Sequence, residues 1–231
     1  VHTGLILSAQ SESELASVLA HEISHVTQRH LARVIAGTQK NTLTSLAALA
    51  VAILAARSNP QVVNAALATA QATGIQSQLD YTREHEREAD RIGLQVLGAS
   101  GFDPHAMADF FGRMQKYGRL YENNAPVYLR THPLTTERIA DVQNRVDALP
   151  YRQVPDSLDF QLVRAKLEAE EGSVQNAVKV FEAALAEKKY SSEAAQHYGL
   201  ASALLRGKDY GRAERELALA RKAGPHPMFD V

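Results

Sequence analysis

The 231-residue chain has no cysteine and no tryptophan, only 6% aromatic residues and a formal net charge of −1. Without cysteine there is no disulfide framework and no zinc site of the cysteine type. A net charge this small leaves no broad basic field, so nucleic acid is not an expected partner. The longest nearly unbroken apolar run, Leu43 to Ala56, has fourteen residues, short of the ~20 needed to cross a bilayer. No signal peptide is visible. Val1-His2-Thr3-Gly4-Leu5-Ile6-Leu7 reads as a β-strand already under way, with no initiator methionine. The expectation is therefore a fragment without its upstream part, including any targeting signal, which leaves the compartment open.

What is present points to helices and to a metal. Alanine and leucine dominate, and the length suffices for one large or two small domains with a buried core. The run His21-Glu22-Ile23-Ser24-His25 is an HExxH motif. On a helix its two histidines lie one turn apart on one face, able to bind one Zn²⁺, with Glu22 beside them to take a proton from water. Ser11 and Glu14 form a capping box that starts this helix, which is expected to run to about Ala36. Leu15, Leu19 and Val26 make an apolar stripe that includes Glu22, and a carboxylate there requires a partner.

Further along, Arg57-Ser58-Asn59-Pro60 breaks the apolar run, and a weaker one follows from Val62 to Ala72. Residues 43–72 read as a helical hairpin over the site or the core, or else as a lid touching a membrane surface or an apolar substrate. Gln78 to Gly98 reads as a helix. Asp103 and Pro104 start the next one as N-cap and N1, with Met107, Phe110, Phe111 and Met114 as core. Asn123 to Pro133 is loop-like, and a helix from Thr135 ends near Leu149. Pro150 and Pro155 bracket a linker, so the expected domains are 1–150 and 151–231. In the second, Ala165, Ala177 and Phe181 align with Ala201, Ala213 and Leu217 at a constant offset of 36, and Gly172 and Gly207 fall in the turns. That pattern resembles two tetratricopeptide repeats, with an ordinary helical bundle as the alternative.

A catalytic zinc takes three protein ligands and keeps one open position. His30 lies five residues after His25, about 140° round a continuous helix, and reads as a surface residue. The acidic stretch Arg83 to Asp90 is the better source. Its periodicity sets Glu84, Glu88, Arg91 and Gln95 on a solvated face and Glu86 and Asp90 in an arc with Ala89, Gly93, Val96 and Leu97. Glu86 is the favoured third ligand, with Asp90 orienting a ligand imidazole, while Glu84 and Glu88 stay open as alternatives.

HExxH followed some sixty residues later by Glu-x-x-x-Asp resembles the HtpX and CaaX-prenyl endopeptidases and their soluble minigluzincin relatives. The strings REHEREADRIG (Arg83 to Gly93) and RTHPLTTERIADV (Arg130 to Val142), with the terminal repeats, resemble the periplasmic β-barrel assembly-enhancing protease group. The resemblance implies a mainly α fold: a zincin-like helical catalytic domain with a small edge β-sheet, then a tetratricopeptide-repeat domain. It implies one Zn²⁺ per chain on His21, His25 and Glu86, Glu22 as general base and Asp90 as a supporting partner. It gives His132, otherwise only a loop histidine, a role in capping the metal or stabilising the oxyanion, and leaves Arg138 as either anchor or site residue. It implies a periplasmic endopeptidase acting on misassembled outer-membrane β-barrel proteins, with the barrel-assembly machinery as partner through the repeats. The competing expectation is a repeat-based chaperone or scaffold with an idle metal site.

Overall fold

The computed structural model describes residues 2–37, 46–47, 50, 61–120, 128 and 132–230, with backbone only for several residues of 61–81 and for 119–120. It is mainly helical, as expected. The helices are α1 (Thr3–Ser8), α2 (Glu12–Thr27), α3 (30–37), α4 (Gln61–Ala99), α5 (His105–Leu120), α6 (Thr136–Val146), α7 (Leu158–Glu170), α8 (Val174–Glu187), α9 (Glu193–Arg206) and α10 (Tyr210–Ala220). No strand occurs among the described residues. The expected edge strand at Val1 to Leu7 is corrected to helix α1, and no edge sheet is found among the described residues. The segment satisfies its backbone locally, Leu5 N–H donating to His2 O and Ala9 N–H to Leu5 O. No described helix is long and apolar enough to cross a membrane. The stretch 43–60 falls almost entirely outside the described residues.

Contacts divide the chain into two compact units, Val1–Leu15 with Gln153–Val231, and Ala16–Arg152. In the first, α1 packs on α7. Glu12 N–H donates to Asp156 Oδ1 at 2.7 Å and Ser157 N–H returns the bond to Glu12 Oε2 at 2.7 Å. Each of α7 to α10 starts from a side-chain cap, Ser157, Ser173, Ser192 and Asp209 in turn, which satisfies an N–H the helix itself leaves free. The centre of their core is Leu162, Ala165, Ala177, Phe181, Tyr198 and Leu204. A Cβ on Gly199 would fall 2.3 Å from Phe181, so only glycine lets the phenyl ring lie against α9.

In the second unit the α5 core is as expected: Met107, Phe110, Phe111 and Met114 are all buried. Asp103 Oδ1 accepts the N–H of His105 at 3.0 Å and caps that helix. Three expectations change. The segments from Val62 and from Gln78 are one 39-residue helix, α4, because no proline interrupts it after Pro60. The HExxH helix stops at Thr27, and Arg29 adopts a left-handed φ of 53° before α3 begins. The buried residues of α2 are Ser13, Glu14, Ser17, Val18, Ala20, His21 and Ser24, not the leucines: Val26 is 77% exposed, and Leu15 and Leu19 are only half-buried. A Cβ on Gly93 would meet the His21 backbone at 3.2 Å, so glycine is what allows α4 to lie so close.

Candidate metal centre

The start of α2 orients the motif. Ser11 Oγ accepts the N–H of Glu14 at 3.2 Å, and Glu14 Oε2 reaches back to the N–H of Gln10 at 2.6 Å, one residue before the usual capping-box partner. About two turns beyond Glu14, His21 is fully buried; His25, one turn further on, is half-buried, and their Nε2 atoms stand 3.0 Å apart. Across from them α4 brings in Glu86, whose Oε2 is 3.4 Å from His21 Nε2 and whose Oε1 is 3.3 Å from His25 Nε2. The fourth donor is His132, its Nδ1 3.4 Å from His21 Nε2 and 3.1 Å from Glu86 Oε1. One atom from each of these four residues lies within 4.8 Å of all the others. Four donors each 2.0–2.1 Å from one tetrahedral centre stand roughly 3.3 Å apart, so this donor set fits a zinc ion. Glu84 is exposed and Glu88 turns to His30, so neither joins the cluster.

The supporting charges are arranged around α6. Thr135 caps that helix, and Arg138 in its first turn is 2% exposed. Its guanidinium grips Asp90 with two bonds, Nε to Oδ2 at 2.7 Å and Nη2 to Oδ1 at 2.8 Å. Nη1 donates to the carbonyl of Pro133 at 2.8 Å and lies 2.8 Å from Glu86 Oε2. Arg138 therefore anchors the loop carrying His132 and also touches two acidic site residues. Asp90 Oδ1 is 2.9 Å from His21 Nδ1, the ring nitrogen opposite the one that faces the cluster.

Burial opposes ionisation of Glu86, yet the imidazoles of His132, His21 and His25 around it and the charge of Arg138 hold it far below the usual carboxylate range. Burial likewise opposes ionisation of Asp90, and Arg138 and His21 lower it. His21 is raised: desolvation works against its charge, but Asp90 and Glu86 outweigh it.

Glu22 is 45% exposed at its side chain, with Oε1 3.3 Å from His132 Nε2. It stands at the rim of the cluster and not inside an apolar stripe. Tyr128 stacks on His132 at 5.1 Å and 23°, and its carbonyl accepts the His132 N–H at 2.9 Å. Nothing in the sequence singles Tyr128 out.

His30 is the clearest departure. It is buried, at 3% exposed, with Nδ1 2.8 Å from His25 Nδ1 and Nε2 3.1 Å from Glu88 Oε2. The 140° separation presumes one unbroken helix, and the left-handed turn at Arg29 abolishes it. No sequence signal marks the break, because an arginine is not a residue that favours the left-handed region. The His30 ring stacks on the buried His85 at 4.3 Å and 9°, and desolvation lowers the pKa of both.

A helix-borne HExxH facing a carboxylate from a second helix defines a site of the zinc-metallopeptidase class. The sequence model of peptidase family M48 matches residues 1–146, and the chain belongs to that family. It is 40% identical over 231 residues to a putative beta-barrel assembly-enhancing protease of Vibrio cholerae, covering 99% of this chain and 48% of that protein. It is 46% identical over 167 residues to the beta-barrel assembly-enhancing protease of Escherichia coli O157:H7, covering 72% of this chain and 34% of that one. The mitochondrial metalloendopeptidase OMA1 of Arabidopsis thaliana is 33% identical over 138 residues, 60% of this chain and 25% of its own. The chain thus spans half or less of the length of these relatives.

Proposed function

We propose that the chain is the catalytic part of a zinc-dependent endopeptidase in which His21, His25 and Glu86 hold the ion. The observation that carries the reading is the four-residue donor cluster, with spacings suited to zinc and Glu22 at its rim. When bound, zinc would acidify water and polarise a peptide carbonyl. Glu22 takes the proton from the attacking water and hands it to the leaving amine, its exposure leaving room for a substrate. Asp90 holds His21 in the tautomer that presents Nε2, and Arg138 keeps Asp90 and Glu86 ionised at neutral pH.

With His21, His25 and Glu86 as the three ligands, His132 would be the fourth donor, where a catalytic zinc keeps a place for water. That supports a closed resting state, in which His132 must withdraw before substrate binds and is then free to steady the oxyanion. The relatives' names support a role in β-barrel assembly, and we read the substrates as misassembled outer-membrane proteins in the periplasm. Helices α7 to α10, two capped hairpins with small residues at the contacts, support a tetratricopeptide reading and a docking role toward the barrel-assembly machinery. Peripheral membrane contact through residues 43–72 belongs to the same proposal.

The test is elemental analysis for zinc on wild type, His25→Ala and Glu22→Gln, followed by cleavage of an unfolded barrel protein. The expected result is near-stoichiometric zinc in wild type and Glu22→Gln, loss in His25→Ala, and turnover lowered by roughly 10²–10⁴ in Glu22→Gln. Cleavage retained by a zinc-loaded Glu22→Gln protein overturns the mechanism. Zinc indifferent to His25 overturns the site.

A further inference from the structure

We propose that His30 is a positioning residue for the metal centre: with Glu88 it sets the tautomer of His25, so that the His25 Nε2 lone pair faces the metal position. The inference rests on the reading of His25 as a zinc ligand.

The chain of donors and acceptors runs inward from the surface. Arg33 Nη1 lies 2.6 Å from Glu88 Oε2, and the same oxygen is 3.1 Å from His30 Nε2. An ionised carboxylate only accepts, so His30 Nε2 must carry the proton and donate. A neutral imidazole with its proton on Nε2 has a bare Nδ1, which can only accept. The atom facing it at 2.8 Å is His25 Nδ1, which must therefore be the donor. With its proton on Nδ1, His25 presents a lone pair at Nε2, 3.0 Å from His21 Nε2 and 3.3 Å from Glu86 Oε1. The opposite polarity would put a proton on His25 Nε2, where a ligand cannot have one.

Two features hold His30 in place. The left-handed Arg29 turns the chain back so that the ring meets His25, and the stack on His85 fixes its plane. The two ligand imidazoles are thus supported differently. His21 is oriented directly by Asp90 at 2.9 Å, whereas His25 is oriented by Glu88 through one intervening imidazole. Glu88, which periodicity assigns to a solvated face, is tied to the site by this route.

The test is zinc affinity by competition with a chromophoric chelator, on wild type, His25→Ala, His30→Leu, His30→Asn and Glu88→Gln, with far-UV circular dichroism to verify folding. His30→Leu removes the acceptor, and zinc binding is expected to weaken by roughly 10–100-fold, the usual effect of losing a group that orients a ligand. His30→Asn offers a carboxamide oxygen near the position of Nδ1 and should restore most of the affinity. Glu88→Gln, at a partly exposed position where folding is not in question, should weaken binding because a carboxamide no longer dictates which His30 nitrogen holds the proton. Affinities of His30→Leu and Glu88→Gln indistinguishable from wild type overturn the proposal. So does His30→Asn binding as weakly as His30→Leu, which would make the ring's bulk the cause. Zinc bound by wild type and lost in His25→Ala, yet indifferent to His30 and Glu88, overturns the relay alone. A wild type that binds no better than His25→Ala overturns the metal reading and this inference with it.

Discussion

Replacing Arg138 by alanine is the perturbation with the largest expected effect on the metal-free fold. The guanidinium is 2% exposed, holds Asp90 with two bonds, reaches Pro133 O at 2.8 Å and lies 2.8 Å from Glu86. Its removal leaves two buried carboxylates without their permanent counter-charge. Breaking a buried pair in this way costs about 3–5 kcal/mol. At roughly 2–4 °C per kcal/mol for a domain of this size, the melting temperature should fall by roughly 6–20 °C.

The pH dependence carries a definite sign. Asp90 and Glu86 have folded pKa values below their unfolded ones, so their contribution is fully present above about pH 4.5 and is lost as pH falls below it. Without Arg138 both carboxylates lose one of the charges that favour their ionised form, so the gap between variant and wild type should be widest at pH 7 and narrow toward pH 4. Thermal and urea unfolding followed by circular dichroism in the presence of a chelator measures both. Arg138→Lys keeps the charge but not the two-pronged grip and should fall between. A loss under about 1 kcal/mol at pH 7, or a gap that acid leaves unchanged, would refute the assignment of Arg138 as the counter-charge.

Gly93→Ala should displace α4 from the His21 backbone, now 3.2 Å from where the new Cβ would sit, at a cost of about 1–3 kcal/mol and with weakened zinc binding in a chelator competition. Gly199→Ala sets a methyl 2.3 Å from the Phe181 ring and should destabilise by a similar ~1–3 kcal/mol in urea unfolding, with zinc content unchanged. Zinc binding should tighten as pH rises through the raised pKa of His21, because uptake of the metal expels that proton; calorimetry in buffers of different ionisation enthalpy reads the proton release directly.

Much of the site was legible before any coordinates. HExxH on a capped helix follows from local spacing, and the burial of Glu86 and Asp90 against the exposure of Glu84 and Arg91 follows from helical periodicity. Both depend only on neighbours within a turn or two. The core of α5 was legible for the same reason. The first strand was misread because β-propensity reflects packing against a neighbouring strand, and an apolar stretch such as Gly4-Leu5-Ile6-Leu7 closes a helical turn equally well. His30 was misread because a single left-handed residue, Arg29, rotates everything after it, and no periodicity passes through such a break.

By itself, then, the sequence determined a helical protein with two histidines and a carboxylate on one helix and a buried acidic pair on another. These are properties of the backbone's own period, independent of what lies across the gap. Tertiary structure alone decided which residues meet there. It drew His132 to within 3.4 Å of His21 from 111 residues away, and made Arg138 both the anchor of that loop and the counter-charge of Asp90 and Glu86. It also turned His30 inward onto His25. Such contacts depend on close approach between elements, and that approach rests on small residues such as Gly93, whose significance lies only in what packs against them.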